Sequence, residues 1–331
     1  MLLHQHSGRW QLGLALSLLT ALLWGIMPNV LSIALQAVDT YTLTWFRFLS
    51  SFLLLSSYLG IRRVLRGPSP VMNGNKGVAA LAHLRGGQGL LLILAILGVG
   101  LDYPLYLQGM ARTSPANAEV VIQLAPVLMS LGAILIFKER YTRQQWMGVA
   151  ILTTGFSLFF REQLTALFAG SSQYFVGSVL VMLAAVAWSI YALAQKQLLQ
   201  VLPSELIMLV IYGACAVLYT PTAQFQQLVG LSPLYIATLI ASGLSTLISY
   251  GAFAEALAHW EASKISAIQS LTPVITLSSA WVLARLLPTV IPPEPLNRLG
   301  LAGTALVIGG SVIIALGNRL QWVPDGSDDQ P

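Results

Sequence analysis

Ten long apolar runs restrict the fold of this chain more than any other feature of its sequence. Each run is close to the roughly 20 residues that a helix needs to cross the hydrocarbon core of a bilayer. The runs occupy residues 11–36, 41–61, 88–110, 116–137, 143–160, 174–196, 203–221, 231–257, 264–286 and 297–317. The sequence lacks the alternating strands of about ten residues that indicate a membrane barrel. The pattern predicts an all-α integral membrane protein with ten transmembrane helices.

The composition agrees with a lipid environment. Hydrophobic residues make up 56% of the chain and charged residues 9%, whereas a soluble domain carries about 25% charge. The first run is longer than a signal-peptide core and lacks a small-residue cleavage site, so we interpret it as helix 1. The single cysteine, Cys215, lies within an apolar run. Disulfides and cysteine metal sites are therefore not expected.

The second half of the chain repeats the first. Residues 106–128 align with 253–275 at an offset of 147 positions, and residues 139–155 align with 294–310 at an offset of 155. Matched pairs include Leu124/Leu271, Pro126/Pro273, Gly148/Gly303 and Gly155/Gly310, and Trp24 pairs with Trp188 at an offset of 164. A period near 150 residues is too long for a solenoid unit. It indicates a duplicated membrane domain, which is typical of transporters.

Lysine and arginine predict the orientation of the chain, because these residues favour cytoplasmic loops. Placing both termini inside puts twelve basic residues in the cytoplasm and four outside, with Arg47 left within a helix. The formal net charge of +5 thus reflects the basic residues of cytoplasmic loops. It does not indicate a nucleic-acid partner, since the basic residues form no compact patch with aromatic residues. Five spans per half would make the second half inverted relative to the first.

The predicted spans and the repeat divide the chain into four parts. Residues 1–10 form a cytoplasmic N-terminus, residues 11–160 the first repeat, residues 174–317 the second repeat, and residues 318–331 a cytoplasmic tail. The first repeat contains a basic cytoplasmic loop at 62–87, which we expect to lack fixed structure.

Three charged residues within predicted spans are the main functional signal, because each costs roughly 2.5–3.5 kcal/mol at a helix centre on insertion scales. Arg47, Asp102 and Glu119 all fall in the outer half of their helices. Arg47 is expected to pair with one carboxylate and leave the other to bind a proton. The alternative is a structural ion pair, with Glu119 solvated at its helix end.

Aromatic and amide side chains supply the candidate substrate contacts. Trp24 and Trp188 lie near mid-span in equivalent positions, and the alternative role for them is simply to fill the core. Polar orientation would come from three amides. The substrate-binding candidates are Trp24, Asn29, Tyr103, Tyr106, Gln123, Trp188, Tyr191, Tyr250 and Gln269. The prolines Pro28, Pro126 and Pro273 are expected to kink their helices, as in transporters with breaks near the substrate site.

Enzyme chemistry finds little support in the sequence. The four histidines, His4, His6, His83 and His259, lie at a terminus, in loops or at an interface, so no metal-binding pair is predicted. The sequence contains no phosphate-binding loop of the ATPase type, no nucleophile elbow and no Cys/His pairing. No cofactor, metal or catalytic residue is expected.

Several motifs resemble those of the EamA family of the drug/metabolite transporter superfamily over nearly the whole chain. They are Trp24-Gly25 with Pro28, Arg47-Phe48, residues 113–128, and Glu139 with Gly148 and Gly155. The second half repeats them more weakly: Trp188 lacks the glycine and proline, while Pro273, Glu294, Gly303 and Gly310 remain. This sequence departs from the family pattern in its longer 62–87 loop and its expanded 287–296 loop.

The resemblance implies two inverted repeats of five helices, a central cavity, alternating access, and efflux of amino acids or other small metabolites. Similar members export aromatic amino acids or threonine and homoserine. We therefore expect a monomeric or homodimeric exporter in a bacterial cytoplasmic membrane, with lipids, a small-molecule substrate and coupling protons as partners. The alternatives are a carrier of larger, lipid-linked or drug-like cargo, an uncoupled facilitator, and a membrane-embedded enzyme or receptor.

Overall fold

The computed structural model describes residues 9–66, 86–137, 142–168, 172–288 and 298–316, and all regular elements within these ranges are helical. The α-helices are α1 (Trp10–Ala34), α2 (Thr40–Arg66), α3 (Gly87–Arg112), α4 (Pro115–Val121), α5 (Leu124–Phe137), α6 (Arg143–Phe168), α7 (Ser172–Leu198), α8 (Ser204–Tyr219), α9 (Pro233–His259), α10 (Ala262–Gln269), α11 (Thr272–Leu286) and α12 (Arg298–Leu316). Two short 3₁₀ turns follow α8.

Six of these helices are long and apolar enough to cross a membrane: α1, α2, α3, α7, α8 and α9. Shorter apolar helices lie at Pro115–Met129 and Ala302–Ile314. The chain is therefore a multi-pass membrane protein, while the count of ten crossings stays a prediction. The tail at 318–331 and most of the 62–87 loop lie outside the described residues, as do residues 1–8 of the N-terminus and Glu139 and Glu294 of the repeat.

The seam between α6 and α12 shows how the two halves are related. A carbon added to Gly148 would lie 2.7 Å from the Gly310 carbonyl oxygen, and one added to Gly155 would lie 2.8 Å from the Gly303 carbonyl oxygen. Small residues allow helix backbones in membranes to approach this closely. Gly303 and Gly310 are the repeat equivalents of Gly148 and Gly155, so each glycine meets the equivalent of the other. This exchange is the signature of a two-fold axis, and it makes α6 and α12 antiparallel.

The remaining large contacts also join the two halves. Helix α3 packs on α7, and α1 packs on α9, which is the corresponding pair under the repeat. Gly98 and Gly109 of α3 meet the backbone of α7 near Ala187 and Gly177, respectively. Numbering rises along α3 while it falls along α7, so these helices are antiparallel as well. The core is built mainly between the halves.

The predicted spans at 116–137 and 264–286 differ from the structure, because each is interrupted. The first divides into α4 and α5 around residues 122–123, and the second into α10 and α11 around residues 270–271. Proline lacks the N–H that would bind the carbonyl four residues earlier, which is Ile122 for Pro126 and Gln269 for Pro273. The freed groups find substitutes: Ala125 N–H donates to the Ile122 carbonyl at 2.8 Å, and the Thr272 hydroxyl donates to the Gln269 carbonyl at 2.9 Å.

Candidate functional site

An internal cavity lies between the two halves beside both helix interruptions. Its empty volume is about 710 Å³, part of which is open to the outside. Helices α1, α2, α3, α4, α5, α7, α9, α10 and α11 contribute to its wall. The lining residues are Trp24, Met27, Pro28, Leu31, Arg47, Asp102, Tyr103, Tyr106, Glu119, Ile122, Gln123, Ala125, Pro126, Trp188, Tyr250, Gln269 and Thr272.

Aromatic side chains close one side of the cavity. The repeat equivalents Trp24 and Trp188 meet each other, with ring centroids 5.6 Å apart in an edge-to-face arrangement. Phe253 lies 5.3 Å from Trp24 and 5.2 Å from Trp188, and Tyr250 lies 5.1 Å from Trp24. Such pairs contribute roughly 0.5–1.5 kcal/mol beyond their buried area. The rings therefore form a rigid apolar wall where the helices of the two halves converge.

Arg47 carries the positive charge of the lining. Its Nε donates to the Thr246 hydroxyl at 2.9 Å, and its guanidinium lies over the Tyr103 ring with 4.4 Å to the centroid. The salt bridges among the described residues do not include Arg47. The expected pairing of Arg47 with Asp102 or Glu119 is therefore not made in this conformation. A guanidinium held by a hydroxyl and a ring keeps its terminal N–H groups available.

Both intramembrane carboxylates accept a hydrogen bond from a tyrosine. The Tyr250 hydroxyl donates to Asp102 Oδ2 at 3.4 Å, and the Tyr106 hydroxyl donates to Glu119 Oε2 at 3.2 Å. Asp102 and Glu119 are 6% and 5% exposed, so Glu119 is not solvated at its helix end as the alternative required. Each carboxylate faces the cavity without a salt bridge among the described residues, which makes both available to a ligand or a proton.

Three lining side chains have a buried polar atom without a hydrogen-bond partner in the described structure. These atoms are Tyr103 Oη, Gln123 Oε1 and Gln269 Oε1. The amide nitrogens of the two glutamines are bonded: Gln123 donates to the Thr272 hydroxyl at 2.8 Å, and Gln269 donates to the Ser17 carbonyl at 3.5 Å. An unsatisfied buried polar atom costs about 1–3 kcal/mol. A polar ligand in the cavity would remove that cost.

The structure brings together ten of the twelve candidate residues named from the sequence. Trp24, Tyr103, Tyr106, Gln123, Trp188, Tyr250, Gln269, Arg47, Asp102 and Glu119 all line the cavity. Asn29 and Tyr191 do not. The Asn29 amide donates to the Thr276 carbonyl at 2.9 Å and to the Ser279 hydroxyl at 2.8 Å, so it ties α1 to α11. Tyr191 is fully buried beside Trp188, and its hydroxyl lies 3.6 Å from Met208 Sδ.

Sequence reasoning missed the apolar part of the lining and one hydroxyl. Met27, Leu31, Ile122 and Ala125 belong to the cavity, but they resemble ordinary membrane-helix residues and no signal separates them. Thr272 could have been found, because it precedes the repeated Pro273 and its hydroxyl is suited to bond the carbonyl that a proline leaves free.

An all-helical membrane protein with a charged cavity beside paired helix breaks has the architecture of a transporter. A model of the EamA-like transporter family matches residues 11–161 and 175–316. The chain belongs to the EamA-like transporter family.

Similar proteins carry transporter names. An uncharacterized transporter of Haemophilus influenzae is 31% identical over 309 residues, covering 93% of this chain and 96% of its own. The uncharacterized inner membrane transporter YhbE of Escherichia coli K12 is 32% identical over 309 residues, with 93% and 92% covered. A probable amino-acid metabolite efflux pump of Salmonella typhimurium is 24% identical over 325 residues, with 92% and 95% covered. A solved crystal structure of another protein matches with a TM-score of 0.62 at 19% identity, covering 93% of this chain and 99% of that one, which shows a shared fold.

Proposed function

We propose that this protein is a proton-coupled secondary transporter that exports small metabolites, above all amino acids including aromatic ones, across a bacterial cytoplasmic membrane. It would use ten transmembrane helices arranged as two inverted repeats of five, with both termini inside. Alternating access would expose the cavity first to one side and then to the other. Lipids, the substrate and protons are the proposed partners, and the protein would act as a monomer or homodimer.

The observation that carries this proposal is the buried charged cavity between the two repeats. A lining that holds one guanidinium, two carboxylates and three unsatisfied polar atoms is costly in a membrane unless it serves transport. The name of the Salmonella relative, a probable amino-acid metabolite efflux pump, supports amino acids and outward transport.

The proposed coupling rests on Asp102 and Glu119. Each has one tyrosine donor and no salt bridge among the described residues, so each is placed to exchange a proton with the cavity. Proton binding by carboxylates within membrane spans is a common basis of coupling in transporters. The cavity would then change its charge state during each transport cycle.

The test is uptake of a labelled amino-acid panel into proteoliposomes with and without an imposed pH gradient. We expect the gradient to raise flux, and we expect Asp102→Asn or Glu119→Gln to lower the gradient-driven flux at least tenfold. Glu205→Gln is the matched control, because Glu205 pairs with Arg62 at 2.9 Å away from the cavity lining. Gradient-insensitive flux would instead indicate a facilitator, and no flux of any amino acid would overturn the proposed substrate.

A further inference from the structure

Most polar groups of the cavity lining belong to two clusters. Arg47, Tyr103 and Thr246 form one group, on α2, α3 and α9. Glu119, Tyr106, Gln123, Gln269 and Thr272 form the other, on α3, α4, α10 and α11 and at the break between α4 and α5. The first group offers donors and a positive charge, and the neighbouring Asp102 carboxylate accepts from Tyr250. The second group offers a carboxylate and carbonyl oxygens.

The donors of the first group are not used within the protein. Arg47 bonds Thr246 only through Nε among the described contacts, which leaves its terminal N–H groups without an acceptor. The Tyr103 hydroxyl also has no partner, although Tyr103 is only 4% exposed. Because the Tyr103 ring lies beneath the guanidinium, one anion can accept from both side chains. A guanidinium with a free planar edge matches a carboxylate especially well.

The second group is complementary, because its unused atoms are acceptors. Gln123 and Gln269 donate through nitrogen to protein groups and leave their Oε1 atoms without partners. Gln123 also approaches the Glu119 backbone, with 3.5 Å from Nε2 to the carbonyl oxygen, so its amide lies beside the Glu119 residue. An ammonium group has three N–H donors and no acceptor. It would satisfy the Glu119 carboxylate and the free amide oxygens together.

Charge balance further restricts the ligand. When Asp102 carries the proton of the proposed coupling, Arg47 and Glu119 bring the lining to a formal charge of zero, and burying unbalanced charge is expensive. An anion without a cationic group would make the site more negative. A cation alone would leave Arg47 without an anion. A zwitterion adds no net charge and matches both groups.

We propose that the cavity orients a zwitterionic substrate, with its carboxylate on Arg47 and the Tyr103 hydroxyl and its ammonium group against Glu119, Gln123 and Gln269. This inference rests on the proposed function and goes beyond it by assigning the residues that select a free carboxylate. The transporter should therefore distinguish an amino acid from its amide, which keeps the ammonium group and loses the anion.

The decisive variant is Tyr103→Phe. Removing a buried hydroxyl that has no partner should leave the melting temperature unchanged or higher. A change in the preference for acid over amide would therefore report contact with the ligand. We expect wild type to prefer L-phenylalanine and L-threonine over their amides, measured as competition against labelled amino-acid uptake. Tyr103→Phe should reduce that preference at least threefold. Arg47→Gln should abolish or invert it, and Arg47→Lys should retain part of it.

Tyr191→Phe is the matched control, because it removes a buried tyrosine hydroxyl that points to Met208 outside the cavity lining. The control should keep the wild-type preference. An unchanged preference in Tyr103→Phe and in folded Arg47→Lys would overturn the inference while leaving amino-acid transport intact. Equal rates of transport for the acid and the amide in wild type would also overturn the inference, and they would leave the proposed function intact. If wild type transports neither class, the proposed function and the inference both fail.

Discussion

Asn29 and Gln123 are both buried amides within apolar helices, but their surroundings differ. Asn29 donates both amide hydrogens to α11, through the Thr276 carbonyl and the Ser279 hydroxyl. Gln123 donates to Thr272 and leaves Oε1 without a partner beside the cavity. A polar residue whose bonds are completed by protein stabilises helix packing, whereas one with an open bond is available to a ligand. The sequence shows two equivalent amides, and only their partners separate these roles.

At this scale we predict that Asn29→Leu destabilises the protein without altering substrate preference. Losing two bonds between α1 and α11 leaves a buried carbonyl and hydroxyl with fewer partners, which should cost about 1–3 kcal/mol. Thermal unfolding in detergent measures the change. Ser32→Ala is a suitable control, since among the described residues the Ser32 hydroxyl bonds the Asn29 carbonyl of its own helix and no other helix. If Asn29→Leu has normal stability but a changed ratio of acid to amide transport, Asn29 contacts the substrate and this prediction is wrong.

The interrupted helices are the elements that place polar groups in the cavity. Both breaks precede a repeated proline, and they contact each other through the Gln123–Thr272 hydrogen bond of 2.8 Å. Non-helical backbone within a membrane is tolerated only where protein or water satisfies it. Here the Thr272 hydroxyl bonds residues at both breaks. It accepts from Gln123 at the first break and donates to the Gln269 carbonyl at the second. The breaks of the two repeats therefore form one polar junction.

The glycine seam between α6 and α12 supplies a sharp test of helix packing. A methyl group at Gly310 would lie 2.5 Å from Leu152 N and 2.6 Å from the Gly148 carbonyl oxygen, whereas one at Gly309 would meet nothing within 4 Å. We expect Gly310→Ala to lower stability by about 1–3 kcal/mol through overpacking. The neighbouring Gly309→Ala should be neutral or slightly stabilising, because alanine favours the helix.

Thermal unfolding of the two alanine variants gives the comparison. Equal stability of both would show that α6 and α12 do not approach closely, and it would remove the evidence for the two-fold seam. Gly155→Ala, which meets Val307 N at 2.7 Å on the same seam, should behave like Gly310→Ala.

In the whole molecule, the most extensive helix–helix contacts are made between the two halves and not within either half. Each of the largest helix pairs, α3 with α7, α6 with α12 and α1 with α9, joins one repeat to the other. The Trp24–Trp188 contact joins equivalent residues of the two halves. The cavity wall draws on both repeats, so relative motion of the halves would change its access.

Topology can be tested with cysteine labelling, because the native Cys215 is fully buried and is the single cysteine of the chain. In a Cys215→Ala background, we expect Gln226→Cys to react with a membrane-impermeant maleimide in intact spheroplasts. Arg63→Cys should react only after permeabilisation, since its basic surroundings favour the cytoplasm. Both residues are exposed. The reverse labelling pattern would place the termini outside. The Cys215→Ala protein without a new cysteine provides the unlabelled control.

The sequence by itself determined the membrane environment, the helical class, the duplication and most of the charged cavity lining. These follow from local or additive physics: apolar length selects a membrane helix, and an intramembrane charge needs a functional or paired environment. Arg47, Asp102 and Glu119 stood out for that reason before their neighbours were known. The repeated Pro126 and Pro273 likewise marked the positions of the helix breaks.

Only the tertiary structure decided which partners these side chains have. It turned Arg47 toward Thr246 and Tyr103 and away from a carboxylate salt bridge. It also directed the Asn29 amide and the Tyr191 hydroxyl away from the cavity. Periodicity specifies a helix face only to within a wide arc, whereas a hydrogen bond depends on tenths of an ångström and on the rotation of the facing helix. That rotation is set by backbone contacts such as Gly148 with Gly310, which arise from packing distant parts of the chain.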